Sequence, residues 1–359
     1  MLWERNDRGG TQILTHMFHP LRVASVIDET PDAKSIVFEV PPVLGPEFAY
    51  RSGQFLTLRV DVGGKPVERC YSLSSSPEVE KIHKVTVKRV AGGALSPLLH
   101  EHLKAGHTVE VKKPEGRFVL DKHDGPLLLF AGGSGITPVI AILKTALATT
   151  PRRVRLLYAN RNRASIIFRD ELERLTRAYA GRLEVGHRLD DEHGQVDANA
   201  VAGAAAGLRD PSVFVCGPSP FMGLVERAVA QAGASPDRIR IERFTLSHSP
   251  PAPVAPAPAA AGLAEGTPEF IDIELRGEKV KVPYKKGRTL LQTARDAGLD
   301  APYSCEEGYC GCCASDLLEG RVRMTTCDAL TEAEQKKGMI LACQSRPLTT
   351  RCSFRFVDS

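Results

Sequence analysis

The spacing of apolar and polar positions changes twice along the chain. Residues 20–122 contain short alternating segments, such as Gln54 to Val60, separated by turn residues, which is typical of an antiparallel β-barrel. In residues 123–247, continuous apolar runs such as Leu127 to Ala131 alternate with helical patterns, which predicts a doubly wound parallel α/β sheet. Residues 269–359 return to short alternating strands.

The C-terminal segment contains a predicted hairpin followed by one short helix. Phe270 to Leu275 and Lys279 to Val282 alternate apolar and polar residues on either side of Gly277. Thr289 and Gln292 form a capping-box pattern ahead of an apolar helical stripe. These elements predict a small α+β domain of the β-grasp type.

Two further stretches lie outside these three predicted domains. Residues 248–268 are rich in proline and alanine, which predicts an interdomain linker that is partly extended as polyproline II. Residues 1–19 are assigned to a polar N-terminal extension, and the true start is left open between Met1 and Met17. The sequence therefore predicts a multidomain protein.

Composition and charge exclude several functional classes. The 359 residues are 42% hydrophobic and 25% charged, as in ordinary globular proteins, and the net charge of +4 is too small to favour nucleic acid. We find no signal-peptide pattern and no apolar run near the roughly 20 residues that cross a bilayer. The nine cysteines lack disulfide-framework spacing, so we expect a reducing cytoplasm.

The strongest chemical signal is a set of four cysteines. Cys305, Cys310 and Cys313 have the spacing C-x4-C-x2-C, and Cys343 follows a later apolar run, as in plant-type [2Fe-2S] ligand sets. The alternatives are a zinc site or a set of buried structural cysteines. Zinc usually takes paired C-x2-C knuckles, and Cys343 has no partner at that spacing. The pattern therefore predicts an iron–sulfur cluster.

A second group of residues suits a flavin. The motif Arg69-Cys-Tyr71-Ser72 would provide a guanidinium for a pyrophosphate, a ring to lie on the isoalloxazine and a hydroxyl for a flavin nitrogen. Gly92 and Gly93 would let backbone N–H groups approach the phosphates. Alone, this motif is weak, because most such tetrapeptides are ordinary strand residues.

The third candidate site follows the strand Leu127 to Ala131. The loop 132–138, Gly-Gly-Ser-Gly-Ile-Thr-Pro, leads into an apolar helix, an order that directs N–H groups at a phosphate. It lacks the G-x-G-x-x-G fingerprint, so a simple tight turn is the alternative. Arg161 and Arg163 follow the next strand, where a 2′-phosphate would lie, and we expect no acid near that strand end to bind a 2′-hydroxyl. This favours NADPH but leaves NADH open.

The motifs R-x-Y-S, G-G-x-x-S, G-G-S-G-I-T-P and C-G-P precede the cysteine motif in one chain. In this order they resemble the ferredoxin–NADP reductase superfamily with a fused C-terminal plant-type ferredoxin. Val87-Lys-Arg-Val-Ala-Gly-Gly and Tyr158-Ala-Asn-Arg161 are similar to one group within it. That group contains the reductase component of 3-ketosteroid 9α-hydroxylase and the reductase subunit of phenylacetyl-CoA epoxidase.

The resemblance implies roles for the residues of the flavin motif. Arg69, Tyr71 and Ser72 would hold FAD, with Ser72 near flavin N5. Gly93 and Ser96 would contact the FAD pyrophosphate. The candidate catalytic residues are Ser72, Cys216 and Glu242.

The resemblance also assigns residues to the nicotinamide nucleotide and the hydride path. Cys216 would lie beside the hydride path, and Glu242 and Phe244 would come near the flavin. The nucleotide itself would be bound by Gly132, Gly133, Gly135, Thr137, Arg161, Gly217 and Pro218. Cys312 and Cys327 depart from the family pattern, and their roles are left open.

The function implied is that of an electron-transfer reductase. NAD(P)H would give a hydride to FAD, which would release single electrons to the [2Fe-2S] cluster and then to a terminal oxygenase, because a flavin tolerates both one- and two-electron steps. The expected partner is a Rieske oxygenase of the 3-ketosteroid 9α-hydroxylase type, with a diiron epoxidase as the alternative. An iron–sulfur binding or sensor module without turnover is an alternative of another class. We expect a cytoplasmic monomer that binds neither membrane nor nucleic acid.

Overall fold

The computed structural model describes residues 18–244, 264–303, 305–327, 329–330 and 332–357. Most of the predicted N-terminal extension and of the predicted linker lies outside these described residues. The chain forms two compact units, Met1–Glu242 and Arg243–Ser359. The first contains the predicted barrel and parallel sheet, and the second contains the cysteine motif.

Six antiparallel strands form the barrel in the order β4-β3-β6-β1-β2-β5. A bridge between Leu73 and Val85 joins its two edge strands, β4 and β5. The elements are β1 (Phe18–Thr30), β2 (Ala33–Glu39), β3 (Phe55–Val62), β4 (Lys65–Ser72), β5 (His83–Lys88), α1 (Ser96–His102) and β6 (Thr108–Lys112). The predicted antiparallel β-barrel is confirmed.

The barrel core fixes the register of the strand that carries the flavin motif. Leu56, Leu58 and Val60 of β3 belong to the buried cluster, with the two-residue period of a strand. Burying each such side chain stabilises the fold by about 1.5–3 kcal/mol. In the antiparallel pairing of β3 with β4, Leu56 stands opposite Tyr71. A slip by one residue would turn this apolar row outward, so the motif is held in one register.

The second half of this unit is a five-stranded parallel sheet in the order β11-β10-β7-β8-β9. Its strands are β7 (Leu127–Gly132), β8 (Val154–Asn160), β9 (Leu183–Leu189), β10 (Ser212–Cys216) and β11 (Ile239–Glu242). Its helices are α2 (Ile136–Thr149), α3 (Arg169–Ala178), α4 (Asp190–His193), α5 (Ala198–Ala205) and α6 (Ser219–Gln231). The strand order reverses between β7 and β10, where such sheets bind their ligands.

Buried ion pairs connect the barrel with the parallel sheet. The ammonium of Lys144, on α2, donates to the carbonyl of Ser74 at 3.0 Å and to the carboxylate of Glu171 at 3.0 Å. It also pairs closely with Glu80. Lys84 of β5 lies 3.5 Å from Glu80. Because removal of one partner leaves the other charge buried and uncompensated, this cluster holds the two halves in one arrangement.

The second unit combines a mixed five-stranded sheet, in the order β13-β12-β18-β14-β16, with a two-stranded sheet of β15 and β17. Its strands are β12 (Phe270–Leu275), β13 (Glu278–Pro283), β14 (Ala314–Glu319), β15 (Val322–Met324), β16 (Met339–Leu341), β17 (Ser345–Pro347) and β18 (Ser353–Phe356). Its helices are α7 (Leu290–Asp296) and α8 (Glu332–Lys336). The predicted α+β class is confirmed.

Local details of this unit agree with the sequence pattern. The side chain of Thr289 accepts from the N–H of Gln292 at 3.2 Å, and the side chain of Gln292 accepts from the N–H of Thr289 at 3.1 Å, which is a capping box. Residues 264–268, assigned to the linker by composition, are already bonded to the unit, since the N–H of Gly266 donates to the carbonyl of Leu348. No helix in the described part of the chain is long and apolar enough to cross a membrane.

Candidate functional site

The end of β4 presents the flavin motif. Ser72 is 2% exposed, and its hydroxyl has no hydrogen-bond partner among the described residues. A buried hydroxyl without a partner costs about 1–3 kcal/mol, so a polar ligand atom fits beside it. Tyr71 packs against the barrel core, and burial raises the pKa of its phenol, which therefore stays neutral. The guanidinium of Arg69 donates to the carbonyl of Glu68 at 2.7 Å and remains exposed to a ligand.

A tight turn after β5 gathers donors at the start of α1. The hydroxyl oxygen of Ser96 accepts a hydrogen bond from the N–H of Val90 at 3.1 Å, which leaves the hydroxyl proton for another acceptor. A Cβ on Gly93 would approach the Ser96 oxygen at 3.0 Å and the carbonyl of Val90 at 3.1 Å. The close packing favours glycine at position 93, and the Ser96 hydroxyl proton can be donated to a phosphate oxygen.

The glycine loop after β7 is tightly packed and anchored from two sides. A Cβ on Gly135 would lie 2.1 Å from the carbonyl oxygen of Cys216, so no larger residue fits. The hydroxyl of Thr137 donates to the carbonyl of Ser134 at 3.1 Å. The phenol of Tyr158, on β8, donates to the carbonyl of Gly133 at 3.0 Å. A simple tight turn does not account for the whole loop, because the loop also leads directly into the N-terminus of the 14-residue helix α2.

The C-G-P segment lies against the same loop. A Cβ on Gly132 would come within 2.9 Å of Pro218, and a Cβ on Gly217 within 3.1 Å of the Gly132 backbone. Gly132 ends β7, and Gly217 and Pro218 follow β10; between these two strands the sheet order reverses. The structure therefore brings the predicted nucleotide residues together at the edge where parallel sheets bind ligands.

Cys216 and Glu242 are register partners at the ends of β10 and β11. The Cys216 side chain is fully buried. Its burial, and secondarily the charge of Glu242, raise the pKa of the thiol well above its ordinary value. The group is therefore a neutral thiol at physiological pH and a poor nucleophile. Phe244 lies two residues beyond β11, half-buried, at the start of the second unit.

Arg161 meets an acid that the sequence analysis did not find. Its guanidinium lies 2.9 Å from the carboxylate of Asp32, in the turn between β1 and β2. The two residues are 129 positions apart, so no local pattern brings them together. The expectation that this strand end lacks an acid is therefore wrong, because the acid comes from the barrel.

The four predicted ligand cysteines form two pairs of thiols. Cys305 is in hydrogen-bond contact with Cys310, and Cys313 with Cys343; the Cys310 thiol raises the pKa of Cys305, and the Cys343 thiol raises the pKa of Cys313. Among the described residues, no group of three or more His, Cys, Asp or Glu side chains converges on a single metal position. Two thiol pairs match a two-iron cluster with two ligands per iron better than a tetrahedral zinc site.

Donors around these sulfur atoms also fit a cluster. The N–H groups of Glu307 and Tyr309 each lie 3.4 Å from the Cys305 sulfur, and the N–H of Cys343 lies 3.5 Å from the Cys313 sulfur. Such bonds stabilise thiolates and tune cluster potential. Gly308 has a φ of +85°, and a Cβ there would lie 2.4 Å from the Thr326 methyl. The loop therefore requires glycine at this position.

Three family models match consecutive parts of the chain. The oxidoreductase FAD-binding domain matches residues 20–120, the oxidoreductase NAD-binding domain residues 129–227, and the 2Fe-2S iron-sulfur cluster binding domain residues 273–348. These matches confirm the predicted cofactors. Together with the fold, they define an oxidoreductase of the FAD- and iron–sulfur-dependent, pyridine-nucleotide-linked class.

The whole chain also resembles individual proteins. It is 43% identical to the ferredoxin reductase component of 3-ketosteroid-9-alpha-monooxygenase from Rhodococcus rhodochrous, covering 94% of this chain and 96% of that one. It is 34% identical to a component of 1,2-phenylacetyl-CoA epoxidase from Escherichia coli, covering 93% and 96%. Phthalate dioxygenase reductase matches with a TM-score of 0.59 and 26% identity, covering 96% and 100%. The chain belongs to the family of reductase components of multicomponent oxygenases, which confirms the resemblance.

Proposed function

We propose that this protein passes electrons from NAD(P)H, through FAD and a [2Fe-2S] cluster, to a terminal Rieske oxygenase of the 3-ketosteroid 9α-hydroxylase type. The observation that carries the proposal is the 43% identity with such a reductase over 94% of the chain. Two structural features support it: the buried Ser72 hydroxyl has no partner among the described residues, and the four predicted ligand cysteines form two thiol pairs.

The proposed FAD residues are those of the barrel. Arg69 would pair with the pyrophosphate, the Tyr71 ring would lie against the flavin, and the Ser72 hydroxyl would bond a flavin nitrogen. Gly93 and Ser96 would receive the pyrophosphate, which the spare Ser96 proton supports. The chemistry that FAD would supply is the conversion between a two-electron hydride donor and a one-electron cluster.

The proposed nucleotide residues surround the switch between β7 and β10. The pyrophosphate would lie at the N-terminus of α2, and the neutral thiol of Cys216 would pack beside the nicotinamide, with Glu242 and Phe244 near the flavin. A neutral thiol suits this place because, unlike a thiolate, it is a poor nucleophile and would not add to the oxidised nicotinamide. The residues proposed to bind the nucleotide are Gly132, Gly133, Gly135, Thr137, Arg161, Gly217 and Pro218.

The proposed cluster ligands are used in pairs. Cys305 and Cys310 would hold one iron, and Cys313 and Cys343 would hold the other. The N–H groups directed at Cys305 and Cys313 support this division, because each pair has its own donors. Cys312 is buried between two ligands and is assigned no iron.

The proposed organisation is a monomer with FAD domain 20–122, nucleotide domain 123–247, linker 248–268 and ferredoxin domain 269–359. The matched family models, which fall within three of these ranges, support the division. The proposed compartment is the cytoplasm. Its support is that none of the nine cysteines, all of which lie in the described part of the chain, forms a disulfide, as is usual in a reducing environment.

A reductase for a diiron epoxidase is the second candidate, favoured by the 34% identity with the phenylacetyl-CoA epoxidase component. Purified protein is mixed with NADH and either a Rieske 3-ketosteroid oxygenase or a diiron epoxidase, and product is measured. We expect product with the Rieske enzyme. Cys313→Ser should abolish product formation but retain flavin-dependent reduction of ferricyanide. Product with the epoxidase alone would favour the second candidate, and product with neither would contradict both.

A further inference from the structure

Both arginines that follow β8 are engaged by carboxylates. Arg161 lies 2.9 Å from Asp32, and Arg163 lies 3.9 Å from Glu192. The Arg161 side chain is 68% exposed, so it is accessible to a ligand at this strand end. The cations that would meet a 2′-phosphate are therefore already paired with acids.

Asp32 is held firmly by its own surroundings. The hydroxyl of Thr30 donates to one carboxylate oxygen at 2.9 Å, and the N–H of Arg89 donates to the Asp32 carbonyl at 2.7 Å. Burial would raise the pKa of the carboxyl group, but the Thr30 bond and the cations of Lys88 and Arg161 outweigh it and lower the pKa. The carboxylate is thus ionised and fixed in position at neutral pH.

A second cation connects Asp32 with the glycine loop. The ammonium of Lys88, the last residue of β5, lies 3.6 Å from the Asp32 carboxylate. It is also 3.7 Å from the position of a Cβ on Gly133, where φ is +53°. Lys88 therefore lies near the glycine loop, and the closer partner of Asp32 is Arg161, after the end of β8. The barrel thereby places the Lys88 cation at the glycine loop and the Asp32 anion at the end of β8.

We infer that Asp32, a residue of the barrel, sets the choice between NADH and NADPH by pairing with Arg161 and presenting a negative charge where a 2′-phosphate would bind. This inference rests on the proposed function. A phosphate monoester carries a charge of about −1.5 to −2 at neutral pH. To pair with Arg161, the 2′-phosphate of NADPH would have to displace the Asp32 carboxylate and would then lie beside that negative charge. The 2′-hydroxyl of NADH meets no such repulsion. The chain therefore discriminates against NADPH.

The test is Asp32→Asn in the full-length protein loaded with FAD and iron. Removing the carboxylate removes its repulsion of the 2′-phosphate, which solvent partly screens at this exposed site, so the ratio of kcat/KM for NADPH to that for NADH should rise about tenfold. Adding Arg161→Ala to this variant should cancel the gain. Asp28→Asn is the matched control, because Asp28 is on the adjoining strand β1, is 80% exposed and pairs with Lys34 instead.

A binding measurement separates this inference from the proposed function, since it requires no turnover. Calorimetry with 2′,5′-ADP and 5′-AMP compares the same nucleotide with and without a 2′-phosphate. We expect the wild-type protein to bind 2′,5′-ADP no more tightly than 5′-AMP, and Asp32→Asn to bind it about tenfold more tightly. Tighter binding of 2′,5′-ADP by the wild type would overturn the inference even if the variant failed to fold. An unchanged preference in Asp32→Asn, or an equal change in Asp28→Asn, would overturn it too.

Discussion

The phenol of Tyr158, on β8, donates a 3.0 Å hydrogen bond to the carbonyl of Gly133, in the loop that follows the neighbouring strand β7. Tyr158 is fully buried, and Gly133 has the left-handed φ of +53°. Since a loop in this conformation is otherwise held mainly by its own backbone, the bond fixes the direction of the N–H groups that open α2.

Tyr158→Phe should weaken nucleotide binding. The variant removes one of the two donors to the Gly133 carbonyl, since the N–H of Ile136 remains, and we expect a loss of about 0.5–1.5 kcal/mol that loosens the loop. We expect KM for NADH to rise about tenfold with kcat nearly unchanged, measured by steady-state reduction of ferricyanide. Tyr179→Phe is the control, because its ring lies near Arg182 at the end of α3, away from the loop. Equal KM values in both variants would contradict the role given to Tyr158.

The elements that the sequence predicts correctly are those whose signal is local. The capping box at Thr289, the hairpin around Gly277 and the strand–loop–helix at Gly132 each depend on residues a few positions apart. The cysteine pattern is also mainly local, because three of its four members lie within nine residues.

What the sequence did not predict depends on tertiary contact. Asp32 reaches Arg161 across 129 residues, and Tyr158 reaches Gly133 only because β7 and β8 are neighbours in the sheet. A tyrosine in a buried strand resembles ordinary core, and an aspartate in a turn resembles turn chemistry. Only the folded chain shows what their polar atoms contact.

Ser72→Ala should affect the FAD-loaded and FAD-free proteins differently. Without FAD, the variant removes a buried hydroxyl that has no partner in the described structure, so its Tm should equal or exceed that of the wild type. With FAD, it removes a hydrogen bond to the flavin. The rise in Tm on adding FAD should therefore shrink, and the rate of flavin reduction by NADH should fall about tenfold or more. Equal FAD-induced rises in Tm would count against the placement of Ser72.

Lys144→Met should destabilise the first unit in a pH-dependent way. Burial would raise the pKa of Glu80, but the charge and hydrogen bond of Lys144 outweigh it and hold the pKa below its ordinary value of 4.5. A lowered pKa stabilises the fold above the unfolded value, and this contribution is lost as pH falls through the folded value. We expect a loss of about 3 kcal/mol at neutral pH, measured by urea unfolding.

The same variant should lose less stability, relative to wild type, as the pH falls below 4.5. Lys279→Met is the control, because that lysine is exposed and lies 4.0 Å from Glu274, so its loss should be less than about 1 kcal/mol. A Lys144 effect that is independent of pH would show that lost packing, and not the ion pair with Glu80, explains the destabilisation.

Two neighbouring cysteines should differ in their effect on iron content. Cys313→Ser removes a proposed ligand, and we expect the chain to lose its iron and acid-labile sulfide. Cys312→Ala changes an adjacent buried thiol and should retain both, at about two of each per chain. Metal and sulfide analysis of the purified proteins checks this. Loss of iron in Cys312→Ala with retention in Cys313→Ser would reverse the assignment.

The most direct test of electron flow is an anaerobic titration of the full-length protein with NADH, followed by visible absorption and electron paramagnetic resonance. The account predicts that flavin and iron–sulfur absorption both bleach and that the signal of a reduced [2Fe-2S] cluster appears, with about two irons per chain. A protein that contains one zinc and no labile sulfide, or whose flavin bleaches while the iron signal stays unchanged, would contradict it.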